Sequence, residues 1–226
     1  MILLISAIPD PAEAAALMAR AAALDWRDGR ATAGPKARAV KRNLQAIMTT
    51  PAARALAGEV HALLAAQPVL RAAAQPRRWS NLLISKTQDG GHYGVHVDNA
   101  MMTAADGATM RSDLSFTLFL SAPGDYDGGE LVIHSASGTQ EIKGQAGEVV
   151  LYPSTALHEV RPVTRGARIV CVGWIESLVA DQAAREILFD LENLRASLRI
   201  ALPAQSGVSL TLDKTIANLL RRWARP

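Results

Sequence analysis

Two histidines and one aspartate in this chain have the residue types and the spacing of a metal site. His96 and Asp98 flank Val97, and His158 follows about sixty residues later. Residues two apart in a strand project to the same side, so His96 and Asp98 can enter one cavity. Two imidazoles and one carboxylate suit iron(II), and bound on one face they leave the opposite positions open for a co-substrate and dioxygen. The pattern therefore predicts an oxygenase, although an H-x-D pair alone often arises by chance.

Arg168 is a candidate for binding an anionic co-substrate beside such a metal. It begins the apolar run 169–175, and if its side chain points inward, the alternate residues up to Trp174 do so too. A buried guanidinium needs an anionic partner, and the distal carboxylate of a dicarboxylate that chelates iron would provide one. An exposed arginine at the end of a strand is the alternative interpretation, and Arg165 is the competing candidate.

The chain divides into three zones, which predict an α+β protein with a mainly β core. Residues 1–78 are predicted to be mostly helical, with helix starts at Pro11 and Pro51. Residues 79–178 contain short strands separated by turns, which is typical of a sandwich or barrel, the jelly roll included. Residues 179–226 return to helix, and their amphipathic stripes predict either a cover for the barrel or a homodimer contact.

Six ordered motifs lie across residues 81–177. They are YGVHVDNA at 93–100, SDLSFTLFL at 112–120, DYDGGEL at 125–131, YPS at 152–154, HEV at 158–160 and PVTRGAR at 162–168. Together these motifs resemble the PKHD-type hydroxylases, a bacterial branch of the prolyl-4-hydroxylase-like iron(II)/2-oxoglutarate-dependent dioxygenases. The resemblance extends more weakly to both flanks, including residues 40–45.

This resemblance implies a double-stranded β-helix (jelly roll) with supporting helices at both ends. It implies that His96, Asp98 and His158 are the iron ligands and that Arg168 binds the C5 carboxylate of 2-oxoglutarate. It also implies ascorbate as the reductant and hydroxylation of a substrate C–H bond with dioxygen. Relatives often carry a tyrosine near the position of Thr87, and its absence puts one contact to the co-substrate in doubt.

Two neighbours of the triad, Tyr93 and Asn99, are candidates for orienting the ligands. Ordinary structural roles, closing a turn or filling the core, are the alternative for each. His61, His92 and His134 are expected to be structural or exposed, with contact to the substrate as the alternative for His92.

The residues and the resemblance are compatible with three hypotheses about the function. The first is a hydroxylase whose substrate is a peptide, a free amino acid or a siderophore-like small molecule, and some members of the branch are linked to iron uptake. The second is a non-enzymatic sensor that binds iron and 2-oxoglutarate on the same fold. The third is a cupin-like metal enzyme that does not use 2-oxoglutarate, against which Arg168 argues.

Composition narrows the class of protein further. The net charge is +3, and without aromatic interleaving or a known motif the basic clusters predict no nucleic-acid binding. No apolar run reaches the ~18 residues of a membrane helix, and the opening apolar segment lacks a basic region, so we expect a cytoplasmic protein. The single cysteine, Cys171, lies in an apolar run and is expected to be buried and unreactive.

Overall fold

The computed structural model describes residues 1–32, 38–135 and 138–225. In these residues, sixteen short strands form two main antiparallel sheets and one small ribbon. The strands are β1 (Leu3–Ser6), β2 (Trp26–Asp28), β3 (Lys41–Arg42), β4 (Leu44–Ala46), β5 (Pro76–Trp79), β6 (Leu83–Gln88), β7 (His92–His96), β8 (Met101–Thr103), β9 (Thr109–Arg111), β10 (Leu114–Phe119), β11 (Tyr126–Gly128), β12 (Leu131–Ser135), β13 (Gly138–Ile142), β14 (Glu148–Pro153), β15 (Leu157–Val160) and β16 (Val163–Ser177).

The two main sheets enclose a cavity between their inner faces. The larger sheet has the strand order β1-β14-β10-β16-β6-β4-β2, with β5 and β11 also paired to β16. The smaller sheet has the order β13-β12-β15-β7-β3, and β8 pairs with β9 in the ribbon. The strands predicted within residues 79–178 are therefore present, and they form the β core that the sequence predicted.

Five helices of seven or more residues flank these sheets in the described residues. Each begins at a residue whose side chain accepts a hydrogen bond from a backbone N–H of the first turn, which satisfies a donor that the helix itself leaves free. Pro11 and Pro51 occupy first-turn positions, as predicted. The helices and their capping residues are α1 (Pro11–Ala22, Asp10), α2 (Pro51–Ala66, Thr50), α3 (Pro68–Ala74, Gln67), α4 (Gln182–Ala201, Asp181) and α5 (Gly207–Trp223, Ser206).

Helices α1, α2 and α3 cover the outer face of the larger sheet. Leu17, Leu56 and Leu70 from these helices belong to one buried cluster with Ile84 and Leu118 of the sheet. The outer face of the larger sheet is apolar and buried by helices. Polar side chains of this sheet are therefore expected on its inner face, where the cavity can accommodate them. The sheet thus separates a dry core from the cavity.

The first eighty residues contribute strands as well as the predicted helices. Strands β2, β3 and β4 are too short, at two or three residues, to show a periodicity in the sequence. They form by long-range pairing, β4 with β6 and β3 with β7. The proposed division of the chain at residues 78 and 178 stays a prediction.

The C-terminal helices α4 and α5 pack against each other around Leu188 and Ile216. The helical region is interrupted after Ala201, and Ser206 caps α5, which begins at Gly207. Ile187, Leu194 and Ile200 on α4 remain exposed. Among the described helices, none has the length and apolarity to cross a bilayer.

Candidate metal and co-substrate site

His96, Asp98 and His158 come together at one end of the cavity. Each offers a ligand atom, and these atoms lie within 4.8 Å of one another. His96 and His158 are register partners in the pair β7–β15, and their ring centroids are 4.2 Å apart. The Nε2 atom of His158 is 3.8 Å from Oδ2 of Asp98. Strand β7 ends at His96, so Asp98 lies in the following loop and is positioned by it. The two side chains therefore do not meet because of alternation within one strand, and that part of the prediction is wrong.

Backbone carbonyls fix the orientation of both imidazole rings. Nδ1 of His96 donates to the carbonyl of Gly94 at 2.8 Å, and Nδ1 of His158 donates to the carbonyl of Ala156 at 3.0 Å. A carbonyl oxygen can only accept, so these bonds require the proton on Nδ1 and leave the Nε2 lone pair free for a metal. Burial, and after it the neighbouring His158, lower the pKa of His96 to about 4, which favours the neutral ring.

The carboxylate of Asp98 is held by a serine that the sequence interpretation missed. Ser115 Oγ donates to Oδ2 of Asp98 at 2.6 Å and lies 2.8 Å from Oγ of Ser154. All six residues of β10 are buried, including the polar pair Ser115 and Thr117. The available signal in the sequence was the polar residues on one face of an otherwise apolar strand. Such residues are as typical of a strand that faces solvent as of a strand that lines a cavity.

Tyr93 lines the cavity and stacks on His96, with ring centroids 3.6 Å apart and planes 16° from parallel. In a regular strand, residues three apart point to opposite faces. The register shifts between the pairs His158–His96 and Val160–Tyr93, so a bulge in β7 brings both rings to one side. Tyr93 therefore contacts a candidate ligand directly, and burial raises its pKa to about 12.

Asn99 also lines the cavity, and its backbone anchors the loop on which it lies. The carbonyl of Asn99 accepts a hydrogen bond from Oγ of Ser112. This bond fixes the loop that follows Asp98.

Arg168 is buried on the inner face of β16, with 3% of its surface exposed. Val170, Val172 and Trp174 line the same cavity, as expected if Arg168 points inward. Its Nε and Nη2 atoms have no hydrogen-bond partner in the described parts of the chain, and the guanidinium lies over the ring of Phe119, 5.5 Å from the centroid. Burial lowers the pKa of Arg168 from its ordinary value, the expected effect on a desolvated cation.

Arg165, the competing candidate, lies outside the cavity. It is exposed and forms a bidentate pair with Asp127, with Nε–Oδ2 and Nη2–Oδ1 distances of 2.7 and 2.9 Å. Arg165 and Asp127 thus form an ion pair at the surface.

Two features of the fold determine the space around Arg168. Thr87 is buried and is the register partner of Arg168 in the pair β6–β16. Gly129 has a φ of +69°, and a Cβ atom there would lie 3.0 Å from Cδ of Arg168 and 2.8 Å from Cγ2 of Val163. The double glycine at 128 and 129 therefore permits positive φ angles, and Gly129 also makes room for the arginine side chain.

The cavity has a volume of about 290 Å³ and a polar wall that the sequence interpretation missed. Lys41, Asn43 and Gln45 alternate along the chain as it passes from β3 in the smaller sheet to β4 in the larger one. Lys41 is 7% exposed, and Gln45 is buried as well. These side chains face a cavity whose other residues include Leu131, Val160 and Val170.

The remaining histidines and the cysteine lie outside this cavity. His61 packs edge-on against Trp79 at 5.1 Å, and His92 contacts the carbonyl of Gly90 through Nδ1 at 3.3 Å. His134 is half-buried with Nε2 3.6 Å from a carboxylate oxygen of Glu159. Cys171 is fully buried, and burial raises its pKa to about 12, so the thiol is unreactive as predicted.

Comparison with known proteins identifies the family of this chain. Residues 82–176 match the family model of the 2OG-Fe(II) oxygenase superfamily. A PKHD-type hydroxylase from Hyphomonas neptunium is 48% identical over 201 residues, which cover 89% of each chain. The chain belongs to the PKHD-type hydroxylases. This hydroxylase is therefore an iron(II)- and 2-oxoglutarate-dependent oxidoreductase, and the sensor and the cupin-like enzyme are not supported.

Solved structures agree on the fold of this hydroxylase. A Pseudomonas putida prolyl-4-hydroxylase matches with a TM-score of 0.51 and 23% identity, over 78% of this chain and 92% of its own. HygX from Streptomyces hygroscopicus, solved with nickel and 2-oxoglutarate bound, matches with a TM-score of 0.53 and 17% identity, over 79% and 84% of the two chains. The predicted jelly roll is thereby confirmed.

Proposed function

We propose that His96, Asp98 and His158 hold the iron(II) of this hydroxylase and that Arg168 binds the C5 carboxylate of 2-oxoglutarate. The observation that carries this proposal is the arginine. A buried guanidinium with two unpartnered nitrogen atoms lines the same cavity as the three candidate ligands. Burying such a cation without an anion is costly, so the residues fit a dicarboxylate co-substrate.

The donor set fits iron(II) as well. Two neutral imidazoles presenting Nε2 and one carboxylate are the ligands of the facial triad found in non-haem oxygenases. When bound, iron(II) and 2-oxoglutarate supply the oxidative chemistry, in which dioxygen is consumed, 2-oxoglutarate is decarboxylated to succinate and a substrate C–H bond is hydroxylated. The protein residues bind and orient these groups.

Each neighbouring residue has a specific part in this proposal. Ser115 donates a hydrogen bond to Oδ2 of Asp98 and so fixes the orientation of this carboxylate. The ring of Tyr93 covers His96 and limits the access of water to that ligand. Thr87, at the register position opposite Arg168, replaces the tyrosine that relatives often carry, and its shorter side chain leaves Arg168 as the principal contact for the distal carboxylate.

In our proposal, the substrate that approaches the open side of the metal is a peptide, a free amino acid or a siderophore-like small molecule. Ascorbate serves as the reductant that keeps the iron in its ferrous state. The exposed apolar residues of α4 form a contact between two copies of the chain.

Succinate release and co-substrate binding test this function together. The protein is mixed anaerobically with iron(II) and 2-oxoglutarate, then exposed to oxygen, while calorimetry measures binding of 2-oxoglutarate to the nickel-loaded form. We expect iron-dependent succinate from the wild type and a loss of metal binding in His96→Ala and Asp98→Ala. His134→Ala, outside the cavity, is the matched control. Full iron-dependent turnover in the first two variants would show that the ligand set is wrong.

A further inference from the structure

Three methionines lie on the β8–β9 ribbon, and each has a different environment. Met102, on β8, lines the cavity that the candidate metal ligands also line. Its chain neighbour Met101 is 55% exposed, whereas Met110, its register partner on β9, is 1% exposed. Among the described residues that line the cavity, Met102 is the only one whose side chain contains sulfur. The proposed roles of the triad and Arg168 do not use it.

The ribbon is fixed to the barrel by backbone contacts that follow Met102 directly. Ala104 forms a bridge with Ser80. The N–H of Ala105 donates to the carbonyl of Trp79 at 3.0 Å. These contacts hold the side chain of Met102 on the wall of the cavity.

The same contacts place the ribbon at the metal end of the cavity. Ser80 exchanges two hydrogen bonds with the backbone of Trp174, at 3.0 and 2.9 Å. Trp174 is the register partner of Ser115, which donates to Asp98. Arg168 lies at the other end of the inner face of β16, so a co-substrate that reaches it from the metal extends away from the ribbon. The ribbon therefore borders the side that is left for the substrate.

A thioether on this side is a readily oxidised group close to a metal bound by the triad. The sulfur of methionine accepts an oxygen atom to form a sulfoxide, and no C–H bond has to break. The cavity has a volume of about 290 Å³, so little space separates its wall from the metal position. When no substrate fills this space, Met102 remains as an acceptor of the oxygen atom.

We propose that Met102 becomes a methionine sulfoxide when this hydroxylase turns over 2-oxoglutarate without its primary substrate. This inference rests on the proposed function, because that reaction supplies the oxygen atom. One dioxygen and one 2-oxoglutarate give succinate and carbon dioxide, with one oxygen atom entering succinate and the other bonding to the sulfur. The 2-oxoglutarate and the sulfur each lose two electrons, and together these reduce dioxygen. The product is a polar group in place of an apolar side chain on the substrate side.

Mass spectrometry of proteolytic peptides tests this inference on the full chain. Iron(II), 2-oxoglutarate and isotopically labelled dioxygen are added with catalase and without ascorbate, and succinate is measured in parallel. We expect one labelled oxygen atom on Met102 and none on Met101 or Met110, which fragment spectra distinguish. Peroxide from solvent would instead oxidise the exposed Met101 first. Met102→Leu should carry no label on the ribbon, and the matched control Met101→Leu should keep the label on Met102.

A second measurement needs no turnover. Hydrogen peroxide is added to the metal-free protein and to the protein loaded with nickel(II) and 2-oxoglutarate, and sulfoxide formation is followed at each methionine. Met101 should react faster than Met102 in the metal-free protein, because it is the more exposed. Loading should slow the oxidation of Met102 severalfold and leave that of Met101 unchanged. An equal effect on both residues would show that Met102 does not border the loaded site and would overturn the inference.

The succinate measurement separates this inference from the proposed function. Succinate formed while Met102 stays unlabelled would overturn the inference alone. Label on Tyr93 or Trp174 in place of Met102, or on Met101 to the same extent, would do so too. Absence of succinate would contradict the proposed function and this inference together.

Discussion

Ser115 Oγ lies 2.6 Å from Oδ2 of Asp98 and donates a hydrogen bond to it. The two residues are on different elements, the strand β10 and the loop after β7, so only the closed barrel brings them together. Ser115 in turn lies 2.8 Å from Oγ of Ser154. This chain of hydroxyl groups fixes the orientation of the Asp98 carboxylate.

The first prediction concerns this bond. Ser115→Ala removes the donor and leaves a buried carboxylate oxygen without its partner, so Asp98 loses its fixed orientation. We expect metal affinity to fall by about 10–100-fold, as for other residues that orient a ligand. Titration of the metal-free protein with nickel(II) or iron(II) measures the change. Ser197→Ala on the exposed face of α4 is the control, and equal affinities in the two variants would refute the orienting role.

A second prediction compares the two arginines of one strand. Arg168→Met removes a buried cation that is proposed to pair with 2-oxoglutarate, whereas Arg165→Met removes an exposed one paired with Asp127. Losing one partner of a buried charge pair costs roughly 2–5 kcal/mol, so the Kd for 2-oxoglutarate should rise by about a hundredfold or more in the first variant. Arg165→Met should bind it normally, because exposed pairs contribute little.

Calorimetry on the nickel-loaded proteins makes that comparison without turnover. Metal affinity should be unchanged in both variants. If Arg165→Met weakened 2-oxoglutarate binding and Arg168→Met did not, the assignment of the carboxylate site would have to be reversed.

The third prediction tests whether Gly129 makes room for Arg168. Gly129 and Gly107 both have positive φ, +69° and +85°, so alanine at either position costs about 1–2 kcal/mol of backbone strain. A Cβ at 107 meets nothing within 4 Å, whereas one at 129 meets Cδ of Arg168 at 3.0 Å. Gly129→Ala should therefore weaken 2-oxoglutarate binding, and Gly107→Ala should not.

Urea unfolding of both glycine variants separates two causes of lost stability, the backbone strain common to both positions and the displacement of Arg168 at position 129. The free energy of unfolding should fall in each, and further in Gly129→Ala. Co-substrate binding that stays normal in a folded Gly129→Ala protein would show that the arginine tolerates the added methyl group.

The fourth prediction concerns stability and pH in the metal-free protein. Lys41 has a folded pKa of about 8 against an ordinary 10.5, so between these values the unfolded chain binds more protons and stability rises with pH. Tyr93, His96, Asp98 and Asp28 face Lys41, and the shift of the His96 pKa to about 4 lies below this window. Tyr93, whose pKa is raised from 10.0 to about 12, lowers stability above pH 10, so the effect of Lys41 is taken as the difference between the wild type and Lys41→Met.

Lys41→Met should therefore be more stable than the wild type at pH 7, by an amount on the order of 3 kcal/mol. The advantage should shrink between pH 8 and 10.5, where the wild-type lysine loses its proton in the folded state. Urea unfolding across this range measures the effect. Lys214→Met, at an exposed position, should show no pH-dependent difference, and a constant difference for Lys41→Met would contradict the burial of a charged lysine.

The sequence alone determined the candidate triad, Arg168 and the β-rich zone that carries them. It also determined the starts of the helices at Pro11 and Pro51, because a capping side chain and a proline act within one turn of chain. These features depend on local pattern and on the order of motifs. The family followed from the same motifs.

Only the tertiary structure decided which neighbours serve the site. Ser115 and Lys41 reach the cavity through strand pairings between distant segments, and a polar residue in a strand does not reveal whether it faces solvent or a cavity. The bulge in β7 turned Tyr93 onto the side of His96, and packing buried Arg168 while leaving Arg165 in water. Residue type sets what a side chain can do chemically, whereas burial and register, which depend on the whole chain, set what it contacts.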